Sequence, residues 1–347
     1  MNFELVKQLC TTYGASGREN AVRELIKSKM ENLCTEIITD KYGNLFCKRT
    51  NIPGRKNVVI DAHTDTVGLV VKEVCDKGFL KFSPLGGIDA RVLPGAEVVV
   101  HGKSDVSGVI ASKPPHLMSD EDKKSNVKIE NMFIDTGLSQ TQEHISPGDI
   151  VTYRQTLIKM GESISGTYLD DRACCGAIIE IFENLKDCDL PFNLIASFSV
   201  QEELGLVGAK WQQLSPDVVF VLDVTHGQTP DESRDLAFKC GGGTAIGFGP
   251  SLNRDLYEII KNCATENNIS YQTEVLEGSS GTNAWAYQIS EKPAVCSTLS
   301  LPLKFMHTPV ETACISDYDN LVEITTCALK SISENQLENL TNDRVLR

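Results

Sequence analysis

The pattern of hydrophobic and polar positions divides the chain into three regions with different periodicity. Residues 1–69 combine a helical period with short β-branched runs, residues 70–160 show short alternating segments separated by Gly and Pro, and residues 161–347 return to helices and strands in alternation. Alternating segments without a helical period are typical of a small β-rich module. Strands that alternate with helices indicate a mostly parallel or mixed sheet with helices on both faces. The pattern therefore predicts an α/β domain (1–69 and 161–347) interrupted by an inserted small β-barrel domain (70–160).

Individual elements follow from the same patterns. Ser16 stands three residues before Glu19, a capping-box spacing, and apolar residues recur at helical intervals directly afterwards, which predicts a helix. The polar tail after Glu334 is expected to fray, and residues 120–124 are expected to form an exposed loop. The remaining elements predicted are a hairpin over 35–48, strands over 57–61, 193–200, 217–223 and 294–301, and helices over 172–185, 204–213, 251–266 and 312–333.

Composition narrows the class of protein. The chain has 347 residues, 41% of them hydrophobic, and its 33 basic and 47 acidic residues give a formal net charge of −14. That apolar share can form a core, which excludes wholesale disorder. The negative charge argues against binding to nucleic acid or to an anionic membrane surface. Without a signal-peptide apolar region or a run long enough to span a bilayer, the protein is expected to be cytoplasmic, with its 12 scattered cysteines reduced.

Acids and histidines collect where predicted strands end. His63 and Asp65 follow the strand NVVID, and their i, i+2 spacing places them on one side of an extended backbone. Asp170 and Asp171 stand directly before a helix, where a carboxylate serves either as an N-cap or as a ligand that bridges two metal ions. Both interpretations remain open for this pair when it is taken alone.

Further acids and a histidine occupy the corresponding positions later in the chain. Glu202 and Glu203 follow the strand IASFSV, Asp223 ends the strand VVFVL, and His307 lies in the loop after the last strand. Adjacent glutamates there are either solvated or share the work, one as metal ligand and its neighbour as general base. Two histidines and three to five carboxylates at strand ends are together the ligand set expected for two divalent cations such as Zn²⁺, Co²⁺ or Mn²⁺.

Five segments in order resemble the motif series of the glutamyl aminopeptidase and tetrahedral aminopeptidase family, some members of which carry a glucanase label. The segments are DAHTDTVGLVV, SGTYLDDRACCGAIIE, SVQEELGLVGA, VLDVTHGQTP and LPLKFMHTPVET. The resemblance extends over nearly the whole chain. It implies a zinc-exopeptidase-like fold, a dinuclear metalloaminopeptidase with two Zn²⁺ or Co²⁺ ions (Mn²⁺ being a further option), and peptides as substrates. It also implies that the inserted domain mediates dimerisation and that dimers assemble into a hollow dodecamer.

The resemblance implies a role for each candidate residue. Asp171 and Arg172 would support the site. Glu202 would be the general base and acid, and Asp65 would orient His63. The metal ligands implied are His63 and Asp223 for the first ion, Glu203 and His307 for the second, and Asp170 as the bridge. Two positions depart from the family pattern: Thr66 stands where Glu is frequent, and Asn283 replaces Asp in a segment expected near the substrate pocket.

Three other functions compete with this interpretation. A dinuclear amidase or carboxypeptidase of related fold would use similar ligands but would hold a free substrate carboxylate, usually with a basic residue. A glycosidase also uses paired acids but leaves His63 and His307 unexplained. A non-catalytic scaffold would bind no metal. The sequence identifies neither the physiological metal nor the preferred N-terminal residue.

Overall fold

The structure, a computed structural model, describes residues 1–120, 126–230 and 237–340. Within these residues, an 11-stranded mixed sheet is accompanied by a closed barrel of six antiparallel strands. This confirms the predicted α/β fold with an inserted β-barrel. The exposed loop predicted over 120–124 lies, apart from its first residue, outside the described residues.

Strands and helices are numbered here in chain order. The large sheet contains β1 (Glu36–Thr39), β2 (Leu45–Lys48), β3 (Asn57–His63), β10 (Leu157–Met160), β11 (Ser163–Gly166), β12 (Asn193–Ser199), β13 (Val218–His226), β14 (Thr244–Phe248), β15 (Tyr271–Val275), β16 (Val295–Lys304) and β17 (Glu311–Cys314). The barrel contains β4 (Gly68–Val74), β5 (Phe79–Leu85), β6 (Glu97–His101), β7 (Asp105–Ser112), β8 (Met132–Asp135) and β9 (Ile150–Tyr153). The helices are α1 (Phe3–Cys10), α2 (Asn20–Met30), α3 (Leu169–Asn184), α4 (Val207–Lys210), α5 (Arg254–Glu266), α6 (Asn283–Gln288), α7 (Ile315–Ser331) and α8 (Glu334–Asn339).

The centre of the large sheet is parallel. β12, β3, β13 and β16 lie side by side in that order and all run in the same direction. Antiparallel strands flank them, β2 beside β12 and β17 beside β16. Because the carboxyl ends of parallel strands meet at one edge of a sheet, the segments that follow β3 and β12 are brought together there.

Helices cover both faces of this sheet, as predicted. Val58 and Ile60 of β3 belong to a core formed with α1, α2, α3, α5 and α7. The residue between them, Val59, belongs to a second core that includes residues of α4 and α6. Since successive side chains of a strand point to opposite faces, the two cores lie on opposite sides of the sheet.

The barrel has a core of its own. Its strands alternate, and their inward residues, such as Leu80, Val100 and Ile134, are fully buried. Val67, before β4, and Tyr168, before α3, also join this core. The hydroxyl oxygen of Tyr168 accepts a hydrogen bond of 2.8 Å from the backbone N–H of Tyr153. The barrel is thus an independent apolar cluster attached to the sheet next to the start of α3.

Several predicted elements differ from the structure. The helix predicted over 204–213 is reduced to α4 because Gly205 and Leu206 have left-handed backbone, with φ of 100° and 62°. The helix predicted over 312–333 begins later, at Ile315, because β17 first pairs with β11 and β16. β14 and β15 were not predicted. The first part of the tail that was expected to fray forms α8, with a capping box between Ser333 and Gln336, and residues 341–347 lie outside the described residues.

The predicted capping box at Ser16 is wrong. Glu19 is the N-cap residue of α2 and makes no side-chain cap. Its carboxylate instead accepts a hydrogen bond of 2.7 Å from the backbone of Gly17, while the Ser16 hydroxyl donates to Asp65 at 2.7 Å. The Ser16 hydroxyl thus bonds to a residue distant in sequence, Asp65, and not to the backbone of α2 as the local pattern predicted.

All 12 cysteines are free thiols, buried or partly buried. In the part of the chain that the structure describes, helices with the length and apolar character needed to cross a membrane are absent.

Candidate metal centre and active site

The predicted site residues converge at the carboxyl edge of the parallel strands. Six of the seven line one cavity of about 330 Å³: His63, Asp170, Glu202, Glu203, Asp223 and His307. The seventh, Asp65, is fully buried beside His63. The prediction that Asp223 ends its strand is wrong, because β13 continues for three more residues to His226.

Asp170 lies between the two histidines. Its Oδ1 is 3.1 Å from Nε2 of His63, and its Oδ2 is 3.2 Å from Nε2 of His307. The same nitrogen of His307 lies 3.1 Å from Oε1 of Glu203. One carboxylate therefore presents its two oxygens to two different imidazoles.

Asp65 fixes both an imidazole and the backbone of the neighbouring acids. Nδ1 of His63 lies 3.1 Å from the backbone oxygen of Asp65 and 3.5 Å from its Oδ1, so it donates to Asp65 and directs Nε2 into the cavity. The Asp65 carboxylate accepts from Ser16 Oγ at 2.7 Å and from the backbone N–H groups of Glu202 and Glu203 at 2.9 and 3.2 Å. A buried carboxylate with this many donors remains ionised, because each donor stabilises the charge.

His307 is held from two directions. Its Nδ1 donates to the backbone oxygen of Gly87, in the segment after barrel strand β5, at 2.6 Å. Its backbone N–H donates to Oε1 of Glu311 at 2.8 Å, and the other oxygen of Glu311 accepts from the backbone N–H of Asp170 at 3.2 Å. Glu311 and Gly87 were missed as positioning groups. The signal for Glu311 was a charged residue opening an otherwise uncharged β-type segment, ETAC.

The two supporting residues have different surroundings. The Asp171 carboxylate accepts a hydrogen bond of 3.2 Å from the backbone N–H of His63. Potential ligand atoms of Asp171, Asp223 and the His63 ring all lie within 4.8 Å of one another. Arg172 is fully buried and does not line the cavity. Its guanidinium donates to the backbone oxygens of Leu9, Thr12 and Gly14, which ties α3 to the segment after α1.

The crowded acids perturb one another. Burial, together with nearby Asp223, Glu203 and Asp170, raises the pKa of Glu202 to about 9. Burial and Asp170 raise the pKa of Asp223 to about 7. Burial opposes the charged form of His307, but the hydrogen bonds with Asp170 and Glu203 outweigh it and raise its pKa to about 11. The cavity therefore favours positive charge strongly.

The donor set fits divalent metal ions. Among the described residues, two groups of three ligand atoms lie within 4.8 Å of one another: one from His63, Asp170 and Glu203, the other from His63, Asp171 and Asp223. Imidazole nitrogen with carboxylate oxygen is the ligand combination of Zn²⁺ and related borderline cations. Buried carboxylates in such number are costly without cations to compensate them.

Asn283 is explained by a neighbour that the sequence did not indicate. Asp61, fully buried in β3, accepts from Nδ2 of Asn283 at 2.8 Å, from Oγ of Ser197 at 2.5 Å and from the hydroxyl of Tyr287 at 3.0 Å. An Asp at position 283 would face Asp61 with a second carboxylate. Asn283 is buried and does not line the cavity, unlike the adjacent Thr282. Thr66, the other departure, is buried, and its backbone oxygen accepts from Ser16.

The wall of the cavity away from the two imidazoles was also not predicted. It includes Glu274 of β15, which was not assigned to an element from the sequence, and Thr225, Thr298 and Ser300. A single acid in YQTEV carries no motif, so only the tertiary fold places it beside the candidate metal ligands.

Comparisons with known proteins agree with this geometry. A family model described as M42 glutamyl aminopeptidase matches residues 43–324. A putative aminopeptidase of Acetivibrio thermocellus is 32% identical over 331 residues, which cover 93% of this chain and 96% of that protein.

Solved structures give the same result over the full length. A TET aminopeptidase from a marine sediment archaeon of the Thaumarchaeota superimposes with a TM-score of 0.92 at 29% identity, covering 98% of this chain and 99% of that one. The TET1 peptidase of Pyrococcus horikoshii, which can assemble into a tetrahedron or a large octahedral shell, does so with a TM-score of 0.83 at 31% identity, covering 95% and 99%. These relatives are peptidases, hydrolases of peptide bonds. The chain therefore belongs to the M42 glutamyl aminopeptidase family.

Proposed function

We propose that this protein removes N-terminal residues from peptides at a dinuclear metal centre, with Glu202 as the general base. The observation that carries the proposal is the position of Asp170, whose two oxygens face the Nε2 atoms of His63 and His307 at 3.1 and 3.2 Å. A bridging carboxylate between two metal ions presents its oxygens in this way.

The other ligands follow from their neighbours. His63 and Asp223 are proposed to bind one ion, and Glu203 and His307 the other, with Asp170 shared. The contact of 3.1 Å between His307 and Glu203 supports the second pair. The group formed by His63, Asp171 and Asp223 supports the first, and it adds Asp171 as a further carboxylate near that ion. Asp65 is proposed to fix the tautomer of His63, since Nδ1 donates to it.

Two divalent cations at such a site, Zn²⁺, Co²⁺ or Mn²⁺, supply Lewis acidity that makes a water molecule nucleophilic near neutral pH and polarises the scissile carbonyl. Glu202 lines the same cavity and holds the proton that the water loses. Without cations, burial together with Asp223 and Glu203 raises the pKa of Glu202 to about 9. Two bound cations would lower that pKa again, so that Glu202 is ionised near neutral pH and able to accept the proton. Glu202 then donates that proton to the leaving amine, and its backbone, anchored on Asp65 at 2.9 Å, keeps the carboxylate in place.

Glu202→Gln tests this assignment, because the amide keeps the shape of the side chain but cannot take a proton. We expect metal content, measured by elemental analysis, to remain unchanged and turnover of aminoacyl anilides to fall about 10²- to 10⁴-fold. Glu183→Gln, at an exposed position of α3, is the matched control and should keep full turnover. Near-normal activity of Glu202→Gln would refute the base assignment, and absence of bound metal from the wild-type protein would refute the centre itself.

The lining of the cavity argues against a carboxypeptidase. Among the described residues that line it, neither Lys nor Arg is present to hold a free substrate carboxylate. An N-blocked peptide should therefore be a poorer substrate than an aminoacyl anilide. A glycosidase would need no metal, so loss of activity with a chelator would count against it.

Assembly and location are proposed from the relatives. The TET1 peptidase of Pyrococcus horikoshii can assemble into a tetrahedron or a large octahedral shell. We infer that this chain is also a homo-oligomer, with domain 70–160 mediating dimerisation and dimers forming a dodecamer in the cytoplasm. Val109 and Leu117, 46% and 59% exposed in that domain, support a buried contact there. Light scattering that shows only the 38.0 kDa monomer would contradict the assembly.

A further inference from the structure

A carboxylate in the cavity takes no part in the proposed metal centre. Glu274, the fourth of the five residues of β15, lines the cavity together with Thr225 and Ser300. Its Oε1 accepts a hydrogen bond of 2.6 Å from Oγ1 of Thr225, and its Oε2 accepts one of 3.1 Å from Oγ of Ser300. Two hydroxyls from two different strands thus hold the carboxylate in one position.

This carboxylate lies close to the candidate metal ligand Asp223. Thr225 is two residues after Asp223 in β13, on the same face and about 6.6 Å along the strand. Ser300 pairs directly with Asp223 across β13 and β16. A substrate residue whose carbonyl carbon is attacked beside Asp223 can therefore reach Glu274 with a side chain of several bonds.

Glu274 has no cation of its own. Among the described residues that line the cavity, Lys and Arg are absent, and Glu274 is not part of either group of potential metal ligands. The other titratable group on this side is His226, which is exposed at the end of β13. Burial raises the pKa of Glu274, and the two hydroxyls together with the nearby ring of His226 offset only part of that effect. A bound cation would relieve the same cost.

We propose that Glu274 is the specificity-determining residue of this peptidase and binds the ammonium or guanidinium group of an N-terminal Lys or Arg side chain. The inference rests on the proposed function, because it places the N-terminal residue of a peptide between the metal centre and Glu274. An N-terminal Glu or Asp would bring a like charge against Glu274 and is disfavoured. A short apolar side chain would leave the charge of Glu274 without a cation.

The test compares two anilides of matched length, those of lysine and of norleucine, which has a side chain of similar reach without the charge. For the wild-type, metal-loaded protein we expect a higher kcat/KM for lysine. Glu274→Gln should lower the lysine-to-norleucine ratio of kcat/KM about 10- to 100-fold, the usual effect of losing a hydrogen bond to a charged group. Glu277→Gln, an exposed glutamate three residues away, should leave the ratio unchanged.

Binding provides a readout that does not depend on turnover. In the Glu202→Gln background, calorimetric titration with lysinamide and norleucinamide should show tighter binding of lysinamide, and adding Glu274→Gln should remove that difference. An unchanged ratio in Glu274→Gln overturns the proposal. A fall that is equal for lysine and norleucine also overturns it, because Glu274 would then bind the α-amine common to both. If no anilide is hydrolysed by the wild-type protein, the proposed function itself fails; if leucine anilide is hydrolysed but lysine is not preferred, this inference alone fails.

Discussion

The two domains fill their interiors with different chemistry. The α/β domain buries acids at the carboxyl edge of its sheet, among them Asp61, Asp65 and Glu311. In the barrel, between residues 68 and 153 as far as the structure describes them, the buried polar residues are two threonines, Thr141 and Thr152, and no charged side chain is buried. A buried charge is costly unless it is paired or binds a cation. The α/β domain therefore contains buried charges that need compensation, whereas the interior of the barrel is almost entirely apolar.

The largest expected effect is on turnover, at the acid that lies between the two histidines. Asp170→Asn should lower kcat/KM of an aminoacyl anilide about 1,000-fold, because an amide is a poor bridge between two cations. The rise in melting temperature that added Zn²⁺ or Co²⁺ produces in the wild-type protein should shrink, since metal binding stabilises only the folded state that binds it. Scanning calorimetry with and without metal measures this.

The barrel provides the control for Asp170→Asn. Asp76→Asn changes the same chemical group at an exposed position between β4 and β5, and it should alter neither turnover nor the metal-dependent melting temperature. If Asp170→Asn and Asp76→Asn change turnover and melting temperature equally, the acids at the sheet edge have no more effect than surface acids, and the contrast between the two domains is contradicted.

The next effect is on stability, and it belongs to the barrel. Ile134 of β8 is fully buried in the barrel core. Ile134→Ala should cost about 2–5 kcal/mol of barrel stability through lost burial and an unfilled cavity. Hydrogen exchange of the barrel amides measures that loss locally, while turnover at a temperature where the barrel remains folded should change little. A matched loss of exchange protection across the parallel strands would show that the two cores do not unfold separately.

A smaller effect is expected at the buried pair Asp61 and Asn283, outside the candidate metal site. Asn283→Asp places a second carboxylate against Asp61, whose pKa burial already raises, and should cost about 1–3 kcal/mol at neutral pH. Both folded-state pKa values would lie above the unfolded values, so the folded protein would bind more protons. The variant should therefore lose stability, relative to wild type, as pH rises above about 4.

The exchange of the two side chains is the matched control for this pair. The double variant Asp61→Asn with Asn283→Asp restores one acid and one amide at the same contact of 2.8 Å. Thermal unfolding at pH 5 and pH 8 should show most of the stability recovered. Losses that simply add would contradict a direct interaction between the two residues.

The smallest effect concerns one hydrogen bond. Ser16→Ala removes the hydroxyl that donates to Asp65 at 2.7 Å and leaves the two backbone donors in place. We expect a two- to tenfold fall in kcat, corresponding to about 0.5–1.5 kcal/mol. Ser28→Ala, at an exposed position in α2, is the control and should have no effect on kcat. A loss as large as that of Asp170→Asn would place Ser16 in the chemistry itself.

The sequence predicted what local pattern and chain order determine. The central strands, the helices over both faces and the barrel follow from periods of two and 3.6 and from the resemblance to the peptidase family. His63, Asp170 and Glu203 could be brought together because parallel strands end at one edge. Their roles as ligands stay predictions.

What the sequence did not predict depends on contacts between distant segments. Ser16 was assigned to a helix cap because its partner, Asp65, is 49 residues away. Asn283 departs from the family pattern, and the neighbour that explains it, Asp61, is 222 residues away. Glu274 could not be placed beside Asp223 because β14 and β15 reach the sheet only through pairing with β16. Tertiary pairing decides these cases, and no local period encodes it.

The contact between Gly87 and His307 joins the two domains at the candidate site. A backbone oxygen from the inserted domain accepts the proton on Nδ1 of His307, and thereby decides which nitrogen of that ring faces Asp170 and Glu203. The peptide group at Gly87, in the inserted segment, thus sets the tautomer of a ring in the other domain. An α/β domain from which the barrel had been excised would keep every acid and histidine of the candidate site and still lose the contact that orients one of them.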